Sequence, residues 1–305
     1  VFKHLLTEAD KIVLTSMSNS YDQGVYAMGA SYGSMAARIL LQPIEENSRL
    51  LWSRLASVGD NTALEESYKT LLKLVLYIGL VFGCVAVHYT NLLLNVLAGR
   101  TWGQNVEAAS VLSAFCVYTA FLALNGMTEA LVYAVSGSNQ NNIDTTAEMT
   151  KLGVVHSLTG VAFAVTAYFL VAEYGTLGLV AANCVAMSIR SLYSLFFAAR
   201  YFRLSSPGTS FLRLLSEIFP HPAILVCFAA TWFATSISLA SLTQKDYHIR
   251  LGIRDKDWLL LTGKHVAVGV SCILGIATLV AFLERGFLRS LKGMVRKDTN
   301  KKKTS

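Results

Sequence analysis

Charged side chains are scarce in this chain. Asp, Glu, Lys and Arg make up 15% of its 305 residues, whereas soluble domains average roughly 25%. Hydrophobic residues make up 53%, and the mean hydropathy is +0.48. This composition excludes an ordinary soluble enzyme or nucleic-acid-binding domain and predicts a membrane protein.

Recognisable cofactor and metal motifs are missing as well. The chain contains no Walker, H-E-x-x-H or C-x-x-C pattern, and its six histidines lack metal-ligand spacing. The five cysteines are odd in number, and each lies in an apolar stretch, so no disulfide framework is expected. We therefore expect no cofactor, no metal ion and no nucleotide-driven pump.

Long apolar stretches are present instead. A membrane-spanning helix needs about 20 mostly apolar residues, and eight stretches fit: 1–18, 24–46, 68–94, 108–135, 151–172, 176–200, 222–243 and 262–284. The first two are the least apolar. The predicted fold class is all-α, a polytopic membrane helix bundle. Because the chain starts inside an apolar run with Val1 rather than Met, we interpret it as a fragment of a longer protein.

One short pattern resembles a serine hydrolase elbow. Residues Gly29-Ala30-Ser31-Tyr32-Gly33 match G-x-S-x-G, but that elbow requires a strand before it and a helix after it. Here the pattern lies within an apolar helical run, so the two glycines are predicted to let two helices approach closely. Gly79 and Gly83 repeat this spacing. The chain is not expected to be an enzyme.

Between Leu5 and Glu46 the chain carries charges in predicted spans. A charge at the bilayer centre costs about 2.5 to 3.5 kcal/mol on insertion scales, so such residues usually face a cavity, pair or do chemistry. The charged residues here are Glu8, Asp10, Lys11, Asp22, Arg38, Glu45 and Glu46. We therefore predict that function is concentrated in this block.

Arg38 lies near the middle of the second predicted span. Gln42 follows one helical turn later, and Pro43 then removes a backbone donor. One interpretation is a structural ion pair with Glu8 that holds two helices together. The other is a cavity-facing guanidinium, whose forked donors suit a phosphate group. The residues alone favour neither.

Other candidates come from outside or from the edge of this block. Arg190 lies about two turns before the end of its predicted span, so it either snorkels to the interface or faces the same cavity. Lys11 is three residues from Glu8 and is placed to pair with it. Glu129 and Lys73 are weaker candidates, because both are predicted to lie nearer helix ends.

The tail after Glu284 is strongly basic, which predicts that it lies in the cytosol. Residues 244–258 argue against this orientation, since they place four basic residues on the predicted lumenal side. Lys302 and Lys303, third and fourth from the end, resemble the dilysine retrieval signal of endoplasmic-reticulum membrane proteins. The alternative is a generic basic anchor for anionic lipid. We predict a multi-pass endoplasmic-reticulum protein.

Four segments carry a family resemblance. LLTEADK (5–11), DQGVYA (22–27), GSMAAR (33–38) and QPIEE (42–46) occur in this order and resemble the Rft family (requiring-fifty-three homologues). These are endoplasmic-reticulum proteins of the dolichol-linked oligosaccharide pathway, within the multidrug/oligosaccharidyl-lipid/polysaccharide exporter superfamily. The family also has a long N-terminal half, which we expect to precede this chain in the complete protein.

The resemblance implies two six-helix lobes around a central cavity, with extra helices appended. It places residues 1–200 in the second lobe and 201–221 in a cytosolic linker. Residues 222–284 would form two appended membrane helices, and 285–305 a basic cytosolic tail.

The resemblance also implies a function: moving Man5GlcNAc2-diphosphate-dolichol from the cytosolic to the lumenal leaflet for N-glycosylation. The implied partners are this lipid, the membrane lipids and other enzymes of the glycosylation pathway; no nucleic acid is expected. Glu8, Arg38 and Arg190 correspond to charged cavity positions, with Gln42 beside Arg38. Secondary candidates are Lys11, Asp22, Glu45, Glu46 and Glu129. Two alternatives stay open: a non-transporting binding or scaffold protein of this pathway, and a cation-coupled drug exporter.

Overall fold

The computed structural model describes residues 19–103, 105–136, 145–205, 210–243 and 256–304. Within these ranges the chain is helical and forms no strand, so the all-α prediction is confirmed. The helices are α1 (Ser20–Ala36), α2 (Gln42–Val58), α3 (Asn61–Cys84), α4 (Thr90–Leu97), α5 (Gly99–Gly103), α6 (Val106–Ser136), α7 (Thr145–Tyr174), α8 (Thr176–Ser205), α9 (Phe211–Ile218), α10 (Pro222–Thr243), α11 (Lys256–Leu283) and α12 (Arg285–Thr304).

Six helical stretches of the described chain are long and apolar enough to cross a membrane. They are Asn61–His88, Val106–Ser136, Ala147–Tyr174, Thr176–Leu204, Pro222–Leu242 and Leu259–Leu283. They correspond to the last six of the eight predicted spans. The first predicted span, 1–18, lies outside the described residues.

The second predicted span, 24–46, is helical but differs from the prediction. Helical structure runs from Ser20 to Val58 without a break, so the helix does not end near Glu46. This stretch is not among the six apolar helices, because its polar and charged residues lower its hydropathy. Its assignment as a membrane span therefore rests on the sequence prediction alone.

The third span also begins earlier than predicted, at Asn61 rather than residue 68. The helix therefore includes the charged residues Glu65 and Glu66, which precede the predicted start, as well as Lys69. In the structure these residues find partners: Lys69 pairs with Glu65 and with Glu217 of α9. Because the charges are compensated, the helix includes them.

Pro43 explains a local irregularity between α1 and α2. Residues Ala37–Leu41 form a π-helical turn, and the N–H of Gln42 donates to the carbonyl of Ala37, five residues back. Proline has no N–H for the carbonyl of Ile39, and its ring would clash with that carbonyl in an α-helix. The wider turn relieves this conflict and places Arg38 within it. Single π turns are frequent at functional sites.

Helix α6 lies at the centre of the bundle and packs against α1, α2, α3 and α8, while α7 packs on α8. Gly29 of α1 makes the close approach to α6 possible, since a Cβ there would lie 2.8 Å from Cγ1 of Val111. At Gly79 a Cβ would lie 3.0 Å from that of Ala120, whereas Gly83 faces open space. The predicted glycine packing is therefore confirmed at Gly29 and Gly79 and wrong at Gly83.

The two appended helices, α10 and α11, are tied to α3 at both ends. At one end Lys73 pairs with Glu284 at 2.8 Å, and Glu284 also accepts the backbone N–H of His221 at 3.0 Å. At the other end, just beyond α3, His88 bonds to the Thr235 hydroxyl of α10 at 2.9 Å, and the Tyr89 hydroxyl donates to the carbonyl of His265 in α11 at 2.8 Å. Polar contacts at both ends therefore hold the pair against the lobe.

The predicted linker, 201–221, is largely helical. Tyr201 and Phe202 belong to the end of α8 and are buried in the main core, and α9 packs against α3 and α8. Burial alone would raise the pKa of the Glu217 carboxyl on α9, but hydrogen bonds from Lys69 and Arg213 outweigh it and lower that pKa. The described part of this segment thus packs against the lobe, and its assignment as a cytosolic linker stays a prediction.

Gly29→Ala is expected to destabilise the protein, although alanine favours helices. The new methyl group overlaps Val111, and such overpacking costs about 1 to 3 kcal/mol, more than the roughly 0.5 to 1 kcal/mol that Gly→Ala gains in a helix. Gly24→Ala, in the same helix, meets no atom within 4 Å and should be stabilising. Thermal unfolding midpoints in detergent should shift in opposite directions. Equal shifts would contradict the close approach of α1 and α6.

Candidate functional site

A cavity of about 360 Å³ opens between the helical run Ser20–Val58 and helices α3 and α6. The wall formed by the run Ser20–Val58 is polar, and the wall formed by α3 and α6 is apolar. The polar wall consists of Arg38, Gln42, Glu45, Glu46 and Arg49, joined by Ala37 and Leu41. The apolar wall consists of Val75 from α3 with Leu122, Ala123 and Met127 from α6.

The polar wall is one face of a helix. Its residues are spaced by three or four positions along the chain, so their side chains stack on the same side. Arg38 comes from the π turn and the others from α2. The four residues predicted at this place, Arg38, Gln42, Glu45 and Glu46, are therefore brought together around one cavity. The prediction that they act on a substrate stays a prediction.

Arg38 is held only by weak contacts within its own helix. Its Nε donates to the carbonyl of Ser34 at 3.3 Å, and its Nη2 contacts the Ser34 hydroxyl at 3.4 Å. Among the described residues it has no carboxylate partner within salt-bridge distance. Glu8, the predicted partner, lies outside the described residues. In the described structure the guanidinium therefore faces the cavity with donors available to a ligand.

Two further contacts order the carboxylates of this wall. Gln42 donates from Nε2 to Oε1 of Glu46 at 2.8 Å. Glu45 lies against the backbone of α6 at Gly126, where a Cβ would come within 2.5 Å of its Oε2. Gly126 thus provides the space that the Glu45 side chain occupies.

A second charged cluster lies deeper in the bundle. Glu129 on α6 is only 6% exposed, and it receives two bonds from Arg190 of α8, Nε to Oε1 at 2.8 Å and Nη2 to Oε2 at 2.9 Å. His156 of α7 contacts the same Oε1 through Nε2 at 3.1 Å. Three helices therefore meet at one carboxylate, in the paired arrangement that a charge buried in a bundle requires.

The deep cluster is separate from the cavity wall. Glu129, His156 and Arg190 are not among the residues that line the cavity, although Met127 of the apolar wall is two residues before Glu129 on α6.

The remaining predicted residues lie elsewhere. Asp22 is in the first turn of α1, where its N–H donates to the capping side chain of Asn19, four helical turns before Arg38. Glu8 and Lys11 lie outside the described residues. Lys302 and Lys303 fall in the last turn of α12. Of the described residues that line the cavity, none is Asp22.

Sequence reasoning missed Arg49 and His156. Arg49 could have been found, because it continues the spacing of Arg38, Gln42 and Glu45 by one more turn. His156 gives no such signal, since its partner Glu129 is on another helix, 27 residues away. Across the described ranges, no three His, Cys, Asp or Glu side chains come together as a metal ion would need.

Comparison with known proteins gives a family. A family model described as "Rft protein" matches residues 1–294 of this chain. The chain belongs to the Rft family. The family resemblance of its charged N-terminal block is thereby confirmed.

Curated Rft proteins from animals and fungi match over long stretches. A protein of Mus musculus is 29% identical over 310 residues, which cover 96% of this chain and 52% of the relative, and one of Xenopus tropicalis is 28% identical over 302 residues, or 94% and 51%. One of Candida glabrata is 32% identical over 208 residues, 66% of this chain and 36% of the relative. Each is named "Man(5)GlcNAc(2)-PP-dolichol translocation protein RFT1". The chain spans about half the length of the vertebrate relatives, and no solved structure matches it.

Arg190→Met should strongly destabilise this Rft protein. It leaves the buried Glu129 carboxylate without its guanidinium, and breaking such a pair costs about 3 to 5 kcal/mol. The double variant Glu129→Gln, Arg190→Met removes both charges and should recover most of that loss. Thermal unfolding midpoints in detergent measure both effects.

Arg213→Met is a matched control, because its pair with Glu217 is exposed to solvent and such pairs contribute about 1 kcal/mol or less. If the single Arg190 variant were as stable as the double variant, Glu129 would not depend on Arg190 for its charge compensation.

Proposed function

We propose that this chain forms one lobe of a protein that moves Man5GlcNAc2-diphosphate-dolichol from the cytosolic to the lumenal leaflet of the endoplasmic-reticulum membrane. The observation that carries the proposal is the cavity between α2, α3 and α6, with two arginines on one wall and apolar side chains on the other. Membership of the Rft family and the names of its curated relatives support the same function.

The chemistry of the two walls suits a lipid diphosphate. A guanidinium presents planar, forked donors that match phosphate oxygens in pairs. Arg38 and Arg49 lie on the same helical face, three turns apart, and both line the cavity, so each offers its donors to a phosphate group bound there. The apolar wall of Val75, Leu122 and Met127 offers a surface to the hydrocarbon next to the diphosphate.

Glu45 and Glu46 balance the two arginines when no substrate is present. Two positive and two negative side chains give this wall no formal net charge, which lowers the cost of a polar cavity in a membrane. In our proposal the diphosphate binds to the guanidinium groups, and the carboxylates, one of them held by Gln42, keep that binding reversible. Alternating access would follow from one lobe rocking against the other around this site.

Arg38→Lys is expected to reduce N-glycosylation in cells that lack their own Rft protein and express the variant full-length protein. Lysine keeps the charge but loses the forked donors, and the loss of a charge-assisted bond of about 1.5 to 3 kcal/mol corresponds to a rate roughly ten- to a hundredfold lower. Arg49→Lys should also reduce N-glycosylation. The readout is the occupancy of glycosylation sites on a secreted reporter protein.

Arg54→Lys provides the control. Arg54 is exposed on the same helix α2 but is not part of the cavity wall, so normal glycosylation is expected. If Arg38→Lys and Arg49→Lys both glycosylated normally, the assignment of these arginines to the diphosphate would be wrong.

A second measurement separates transport from a binding or scaffold role. The purified full-length protein is placed in liposomes together with the lipid-linked heptasaccharide, and transfer between leaflets is measured. Transfer that is faster than in protein-free liposomes and reduced by Arg38→Lys supports the proposal. Absence of transfer, despite normal glycosylation in cells, would favour a protein that holds the lipid without moving it.

A further inference from the structure

Helix α12 begins directly where a membrane-spanning helix ends. The apolar stretch of α11 runs to Leu283, and only Glu284 separates it from Arg285, the first residue of α12. Glu284 pairs with Lys73 of α3 at 2.8 Å, and Lys73 belongs to the apolar stretch Asn61–His88. The first turns of α12 therefore lie beside a spanning helix, at the place where α11 leaves the hydrocarbon.

One side of α12 is packed against α3. The ring of Phe287 lies 5.6 Å from that of Tyr77, between centroids, and the Ser290 hydroxyl donates to Oε1 of Glu66 at 2.8 Å. Both residues belong to the first two turns of α12. These contacts fix the rotation of the helix, so its other side points away from α3.

The side that points away is basic. Arg285, Arg289 and Lys292 are exposed, and their spacing of four and three residues places them on one face of the helix. Among the side chains that the structure describes, no carboxylate lies within salt-bridge distance of these three. The sequence has no acidic residue between Glu284 and Asp298. This basic face is therefore not neutralised by the described part of the protein.

Arg285 shows at which depth the basic face lies. Its guanidinium carbon is 5.7 Å from the ring centroid of Phe282, which is within cation–π range. Phe282 is 65% exposed on α11, and an exposed apolar side chain on a spanning helix contacts lipid. An arginine one turn beyond such a residue lies at the depth of the lipid headgroups, where basic and aromatic side chains concentrate.

We propose that Arg285, Arg289 and Lys292 form a docking surface for anionic phospholipid headgroups in the leaflet where α11 ends. Each basic residue near a membrane surface strengthens the attraction to anionic lipid by about fivefold. The surface differs from the basic end of the tail at Lys302 and Lys303, because packing against α3 holds its residues in place. It is also separate from the cavity, so the proposal does not depend on the proposed transport function.

The test counts the lipids bound to the full-length protein by native mass spectrometry in mild detergent. The protein is titrated with anionic phosphatidylserine or with zwitterionic phosphatidylcholine. The wild type should prefer phosphatidylserine by about fivefold or more. The triple variant Arg285→Gln, Arg289→Gln, Lys292→Gln should lose most of this preference, because it keeps polar side chains on the exposed face but removes their charges.

Matched variants separate this face from the total charge. Arg285→Lys with Arg289→Lys keeps all three charges and should keep the preference. Arg289→Gln should lower the preference by up to about fivefold. Arg213→Gln removes the same charge from an exposed arginine that already has Glu217 as its partner, so it should change the preference little.

Salt gives a second measurement, which uses the wild type and holds even if the triple variant does not fold. Raising the salt concentration from about 0.15 M to about 1 M shortens the Debye length from about 8 Å to about 3 Å, so phosphatidylserine should bind more weakly. Wild-type binding that is insensitive to salt or to the headgroup would overturn the proposal. A triple variant that keeps the preference, or an equal loss in Arg213→Gln and Arg289→Gln, would overturn it as well.

Discussion

A single buried carboxylate constrains the centre of this protein. Glu129 lies on α6, the helix against which most of the lobe packs, and a charge in that position is costly unless it is paired and hydrogen-bonded. Arg190 and His156 satisfy it from two other helices. Because the three side chains must meet within about 3 Å, the rotation and height of α6, α7 and α8 are fixed relative to one another. The carboxylate therefore sets the register of α6, one wall of the cavity, relative to α7 and α8.

The cavity itself depends on a local feature of a different kind. Pro43 has no N–H to donate to the carbonyl of Ile39, so the helix widens into a π turn at Ala37–Leu41. Arg38 lies within this turn. The same helical face continues through Gln42, Glu45 and Arg49, and Gly126 gives Glu45 space against α6. A proline, a glycine and the helical repeat thus combine to place polar groups beside an apolar wall. A substrate with a charged head and a hydrocarbon tail matches both surfaces.

The balance of charges suggests how the site can be both selective and reversible. Neither group of charges has a large formal excess: the cavity wall holds two arginines and two glutamates, and the deep cluster one arginine and one glutamate. In the proposed function the substrate must be released, and strong permanent binding would oppose that release. Carboxylates that can exchange their partners offer the anion a competitor on the protein itself.

Hydropathy, helical spacing and charge are local properties of the chain, so the class of fold and six of the eight predicted spans followed from the residues alone, whereas the functional role of the block around Arg38 stays a prediction. The sequence also indicated that Gly29 makes a close helix contact. Which charges meet depends on the tertiary structure. Arg190 pairs with Glu129, 61 residues away, and His156 joins them from a third helix; Lys73, a weak candidate in the sequence, instead ties α3 to Glu284 at the appended helices. Such pairings depend on the rotation and packing of whole helices, which no local pattern records.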